Sequence, residues 1–253
     1  MKHIALDLAL LPLAPLLIAQ GRRVKRDTPR LPPAAGPLSG RVEGEGAPLR
    51  MLAIGESTVA GAGAAHHEEA LTGHLARALS EKSGRPVEWH AHGLSGATVA
   101  YALMSLAPQL PQQPMDLVVL AFGVNDTIDR TSPKKFADGL KALVGAARSR
   151  VGEDVPVILC AAPPMHQFPA LPEPLRTYLG ARAVMLNEAV RSARIRRAAH
   201  VALKLKAERA LFASDGFHPS PAGYAAWGAE LGRVAWSAFL ETAQPGPTAS
   251  GGA

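Results

Sequence analysis

A chain of 253 residues with an ordinary globular composition has room for one large domain or two small ones, with a full core. Its single cysteine, Cys160, excludes an intramolecular disulfide, and its apolar surroundings read as a buried thiol rather than a nucleophile or ligand. The net charge of +6 is uneven: residues 1–50 carry 8 Lys/Arg against 4 Asp/Glu and the remainder 19 against 17, which argues against a nucleic-acid-binding domain and for a local N-terminal contact with an anionic surface.

Residues 4–19 are nearly all apolar, but Asp7, Pro12 and Pro15 interrupt them, and they fall short of the ~20 residues that a spanning helix needs. Arg22, Arg23, Lys25, Arg26 and Arg30 follow, a flank that tends to stay cytoplasmic. Two readings carry equal weight: peripheral docking on anionic membrane, or a helix packed on its own domain. Cytoplasmic location is expected, with membrane association open. Cleaved export ranks behind, because no small-x-small cleavage site follows the charged start at Lys2. Residues 29–48 are rich in Pro and Gly and read as a linker or surface-hugging arm, so 1–48 form an N-terminal segment, of which the part before about Arg41 is expected to be dispensable for chemistry.

Residues 49–242 hold the main domain. Buried strands are expected at Leu49–Gly55, 86–92, 116–122 and 155–161, with a weaker one at 201–205. Helices are expected at 69–83, closed by Gly84, and at 98–106, 132–150, 174–198 and 221–240. Residues 243–253 read as a small, polar, disordered tail. Continuous apolar strands alternating with helices predict an α/β domain, a parallel sheet covered on both faces. Right-handed crossovers then gather the loops after the strands on one sheet edge, where such folds bind ligands.

Four short segments on that edge carry chemistry. Ser57, in Gly55-Glu56-Ser57-Thr58, lies just past the first strand of the main domain and offers an exposed hydroxyl and its own N–H. Gly96, in Ser95-Gly96-Ala97-Thr98, lets the backbone approach a substrate with its N–H uncovered. Asn125 follows the most apolar strand and can present a side-chain amide to an oxyanion, while Asp126 beside it reads as a cap or brace. Asp215 and His218, three apart in a turn before the last helix, can form a carboxylate–imidazole pair with the far ring nitrogen facing Ser57. Each segment alone has a bland reading: a helix cap for Ser57, turn residues for Gly96 and Asn125, an Asp-Gly turn for Asp215. His66, His67, His90, His92, His166 and His200 show no metal-ligand spacing, so no metal is expected.

Taken together and in this order, the segments resemble the SGNH hydrolases, the GDSL-type esterases and lipases, whose signature letters fall on Ser57, Gly96, Asn125 and His218. The resemblance covers most of the chain beyond the arm. It implies a flavodoxin-like three-layer α/β/α sandwich, a triad of Ser57, His218 and Asp215, and an oxyanion hole from Ser57, Gly96 and Asn125. It also implies hydrolysis of a small-molecule ester without a cofactor. Glu56 departs from the aspartate usual before the nucleophile, which puts in doubt how that loop is braced. The segment 163–180 has no family motif; following a strand, it is a candidate pocket wall or lid, with Met165 and Phe168 as lining residues. Short-to-medium acyl esters or lysolipids are the expected substrates. Sugar O-deacetylation and thioester cleavage are alternatives within the chemistry. A flavin- or phosphate-binding module is the alternative outside it, because the Ser/Thr- and Gly-containing run 55–61 follows a first strand.

Overall fold

The computed structural model of the protein describes residues 2–202 and 208–241. Six strands form one sheet: β1 (Ser39–Val42), β2 (Leu49–Gly55), β3 (Val87–Gly93), β4 (Leu117–Ala121), β5 (Val157–Cys160) and β6 (Ala198–Val201), in the order β1-β3-β2-β4-β5-β6. All neighbours are parallel except β1, which lines β3 antiparallel at the edge. The five parallel strands, counted along the chain, run 2-1-3-4-5, the flavodoxin-like order.

Side-chain alternation along the strands builds two cores. Met51 and Ala53 of β2, with Leu117 and Val119 of β4, face α3 (Leu71–Ser83) and α8 (Pro221–Ala235). Leu52 and Ile54, with Val118 and Leu120, face α4 (Val99–Ser105), α6 (Pro133–Val151) and α7 (Leu175–Ser192). Helix α6 shows how locally this is written. Ser132 caps it by accepting from Lys135 N at 3.3 Å, and Pro133 sits in the first turn. Phe136, Leu140, Leu143, Val144 and Ala147 then fall on one buried face.

The structure differs from the sequence reading at three places. The arm contributes β1, and Ala34 N donates to Ala60 O, so this stretch runs along the domain beside the nucleophile loop. Helix α7 ends at Ser192, earlier than residue 198, because Arg194 and Arg197 adopt positive φ and turn the chain directly into β6. The last strand, expected at 201–205, is β6 at Ala198–Val201, and of the expected span residues 203–205 lie outside the described residues, as does the tail at 243–253.

The N-terminal stretch folds as α1 (Lys2–Ala9) and α2 (Ala14–Asp27), joined by a short 3-10 turn at Leu11–Leu13. Pro12 and Pro15 occupy first turns, where the missing N–H costs nothing. Among the described residues no helix is long and apolar enough to cross a membrane. Leu6, Leu10, Leu17 and Val24 pack against a third apolar cluster around Met165, Phe168, Leu175 and Leu179. Asp7 fixes the docking. It accepts from Tyr178 Oη at 2.8 Å, Arg130 Nη2 at 3.0 Å and Arg182 Nη1 at 3.2 Å. Burial opposes its charge, but these donors hold its carboxyl below the usual range. The side chain of Arg182 is only 2% exposed, so Asp7→Ala would strand a buried cation. That substitution is expected to cost about 2 kcal/mol, allowing for the partial exposure of Asp7, and a denaturant midpoint lowered accordingly checks it.

Candidate active site

The sheet register brings three of the four segments together. Gly55, the last residue of β2, pairs with Gly93 on one side and Ala121 on the other. The chain therefore leaves three adjacent strands at one level, and Ser57, Gly96 and Asn125 follow within a few residues of each exit. Gly55 permits this closeness: a Cβ there would meet Val59 Cγ2 at 2.5 Å and Ala121 O at 2.6 Å. Gly96 is required by its backbone, with φ +85 in a region side chains rarely adopt.

The fourth segment arrives from the loop before α8. Ala213 N donates to His218 O and Phe212 bridges Pro219, so residues 212–219 form a closed turn. Inside it Asp215 Oδ1 accepts from Phe217 N at 2.9 Å and His218 N at 3.0 Å, and Oδ2 lies 2.6 Å from His218 Nδ1. Burial works against ionisation of Asp215, but the His218 ring and the two backbone donors hold its carboxyl below the usual range. An ionised carboxylate only accepts, which assigns the His218 proton to Nδ1 and leaves Nε2 as an acceptor. His218 Nε2 lies 2.9 Å from Ser57 Oγ, which can donate to it. The carboxylate, the imidazole and the hydroxyl thus form one hydrogen-bonded row. Tyr224 of α8 holds the nucleophile loop from the other side, donating to Ala62 O at 2.7 Å.

Two carboxylates brace the loops to one another. Glu56 is fully enclosed; Oε1 accepts from Val124 N at 3.0 Å, and Oε2 from Asn125 N at 3.1 Å and Asn125 Nδ2 at 2.6 Å. Asp126, also buried, accepts from Val99 N at 2.9 Å, tying the short helix α5 (Val124–Ile128), which carries Asn125, to the start of α4 beyond Gly96. The sequence marked Asp126 as a brace but left Glu56 open. A glutamate placed among apolar neighbours directly after a buried strand signals a partner elsewhere, though not which one.

Burial pushes the Glu56 carboxyl up from 4.5 to about 7, against the three donors that favour its charge. Below about 4.5 it is protonated folded and unfolded alike, and its charge costs nothing. As pH rises toward 7 the unfolded chain releases the proton first, so stability falls, and the full cost is present above about 7. Wild type is therefore expected to lose roughly 3 kcal/mol relative to Glu56→Gln across that window, read from denaturant midpoints against pH.

An apolar cleft opens beside Ser57 and His218. Its walls include Val124, Phe168, Leu211, Phe212, Phe217 and Trp227. Phe168 stacks edge-on to Phe217 and Phe212, with centroids 5.1 and 5.6 Å apart, and Phe217 meets the His218 ring at 5.5 Å. The segment 163–180 thus supplies one wall through Phe168. Met165, expected at the same wall, instead lies fully buried in the cluster behind it. Cys160 also borders the cleft, but burial pushes its thiol far up, which leaves it protonated and a poor nucleophile.

A sheet in flavodoxin-like order with Ser, Gly, Asn and Asp/His segments at one edge matches the SGNH hydrolase pattern. The chain belongs to the GDSL-like Lipase/Acylhydrolase family, which residues 53–226 match. It is 28% identical over 192 residues to GDSL-like esterase Rv1075c of Mycobacterium tuberculosis, an alignment covering 70% of this chain. The chain spans 58% of the length of that curated relative. Among solved structures it is similar to the lipase Lip_vut3 from a goat rumen metagenome, at TM-score 0.60 and 17% identity, covering 72% of this chain and 95% of that one. It is also similar to Est24, a carbohydrate acetylesterase from Sinorhizobium meliloti, at TM-score 0.54 and 21% identity, covering 76% of this chain and 100% of that one. At these identities the solved structures speak for the fold.

Proposed function

We propose that this chain is a serine hydrolase of carboxylic esters that works through an acyl-enzyme on Ser57 and needs no cofactor. The observation that carries the reading is the row Asp215–His218–Ser57, with 2.6 and 2.9 Å between successive partners, beside an apolar cleft. Ser57 Oγ attacks the ester carbonyl carbon as its proton passes to His218 Nε2. Asp215 steadies the imidazolium that results. The tetrahedral intermediate collapses, the C–O bond to the alcohol breaks, and His218 returns the proton to the leaving oxygen. Water, deprotonated by the same nitrogen, then releases the carboxylic acid and restores Ser57.

The oxyanion is assigned to the backbone N–H of Ser57 and Gly96 and to the amide of Asn125. Glu56 holds one N–H of that amide; the other makes only a 3.3 Å contact with Ala97 O and is the one left for the oxyanion. Asn125→Ala is accordingly expected to lower kcat by about 10²–10³-fold with a smaller change in KM. A rise in KM alone would make Asn125 a ground-state contact.

The three phenylalanines of the cleft favour an acyl chain over a sugar, so short-to-medium acyl esters or lysolipids are the preferred substrates. The test is a panel of p-nitrophenyl esters from acetyl to palmitoyl, beside acetylated sugars, acyl thioesters and lysophospholipid. Highest kcat/KM on short-to-medium acyl esters or lysolipid supports this reading, and highest kcat/KM on acetylated sugars or thioesters overturns it. A phosphate-binding reading of the loop 55–61 finds less support, because the Ser57 hydroxyl is taken up by His218.

A further inference from the structure

We propose that α1 and α2 dock this chain on the surface of an anionic lipid bilayer, lying in the interface rather than crossing it. The inference does not rest on the reading of Ser57. Of the twelve large apolar side chains exposed among the described residues, six lie between Ile4 and Ile18. Ile4, Leu8 and Leu11 are 54–64% exposed, and Leu16 and Ile18 46–55%. These residues cannot turn inward, because the other side of both helices is already spent. Leu6, Leu10, Leu17 and Val24 pack on the third cluster, and Asp7 binds Tyr178, Arg130 and Arg182. Gln20 adds a clamp, donating to Glu173 O and accepting from Leu175 N.

The charge at the end of α2 names the occupant. Arg22, Arg23, Lys25, Arg26 and Arg30 follow the apolar face, and one local carboxylate, Asp27, serves both Arg23 and Arg26. An apolar face continued by cations matches the boundary between acyl chains and anionic headgroups. A second copy of the chain would set the same cations against one another. Helices of 8 and 14 residues suit a segment lying in the interface. The sequence reading held docking and self-packing as alternatives; here opposite faces of the same helices do both.

The test is co-sedimentation of the full chain with vesicles of phosphatidylcholine alone and of phosphatidylcholine with phosphatidylglycerol, at low and high salt. Two variants accompany it, L8S/L11S/I18S and R22Q/K25Q; none of these residues touches the cleft. Thermal melting should be unchanged in both. Wild type is expected to bind the anionic vesicles at least about tenfold more tightly than the neutral ones, and high salt should weaken that binding. Each variant should lose about tenfold or more. Equal binding to both vesicle types, equal binding by wild type and variants, or no vesicle binding would each overturn the proposal. So would concentration-dependent self-association that the apolar triple variant removes, since the face would then belong to a second copy.

Discussion

Ser57→Ala is expected to reduce kcat/KM on a p-nitrophenyl ester on the order of 10⁵–10⁶-fold while leaving the thermal transition near that of wild type. The size follows from what the hydroxyl does: it is the atom that bonds to carbon, and none of the groups around it can replace that bond. Cys160 borders the cleft, but its thiol is pushed up by burial and stays protonated. The fold should tolerate the change because the side chain of Ser57 is half-buried and, among the described residues, bonds only to His218. The loop is held instead by Glu56 and by Tyr224. Activity within tenfold of wild type in a folded Ser57→Ala protein would end the acyl-enzyme account.

Asp215→Asn is expected to lower kcat by about 10⁴-fold at neutral pH. The amide keeps the size of the carboxyl, and its oxygen can still accept from Phe217 N and His218 N, so the turn should persist. Its nitrogen, however, then faces His218 Nδ1 and donates to it. That moves the imidazole proton to Nε2, which can no longer take one from Ser57. The measurement is kcat with the melting temperature as control. A folded variant retaining more than a tenth of wild-type kcat would mean that Asp215 does not set the tautomer.

Much of the fold is legible in the chain itself. Buried parallel strands betray themselves as unbroken apolar runs, and Leu117 to Ala121 is one. The candidate site was legible as four segments because each is short, local and chemically distinct. What stayed hidden depends on partners far away in sequence. Strand β1 has alternating, half-exposed residues and forms because β3 offers a free edge. Glu56 could be flagged as a departure, but its role needs Val124 and Asn125, some seventy residues on. Asp7 looked like an interruption of an apolar run; in the fold it binds Arg182 and fixes the face that α1 buries. Met165 and Phe168 sit three apart with similar apolarity, and only the course of the loop decides which one reaches the cleft.

In the proposed reaction Ser57 Oγ is the nucleophile that bonds to the acyl carbon. Reacting the protein with a fluorophosphonate, and locating the adduct by peptide mass spectrometry while residual esterase activity is followed, decides whether it is. One adduct per chain is expected, on Ser57, with loss of activity in proportion to labelling. An adduct on another residue accompanying the loss, or full activity with Ser57 modified, would contradict it.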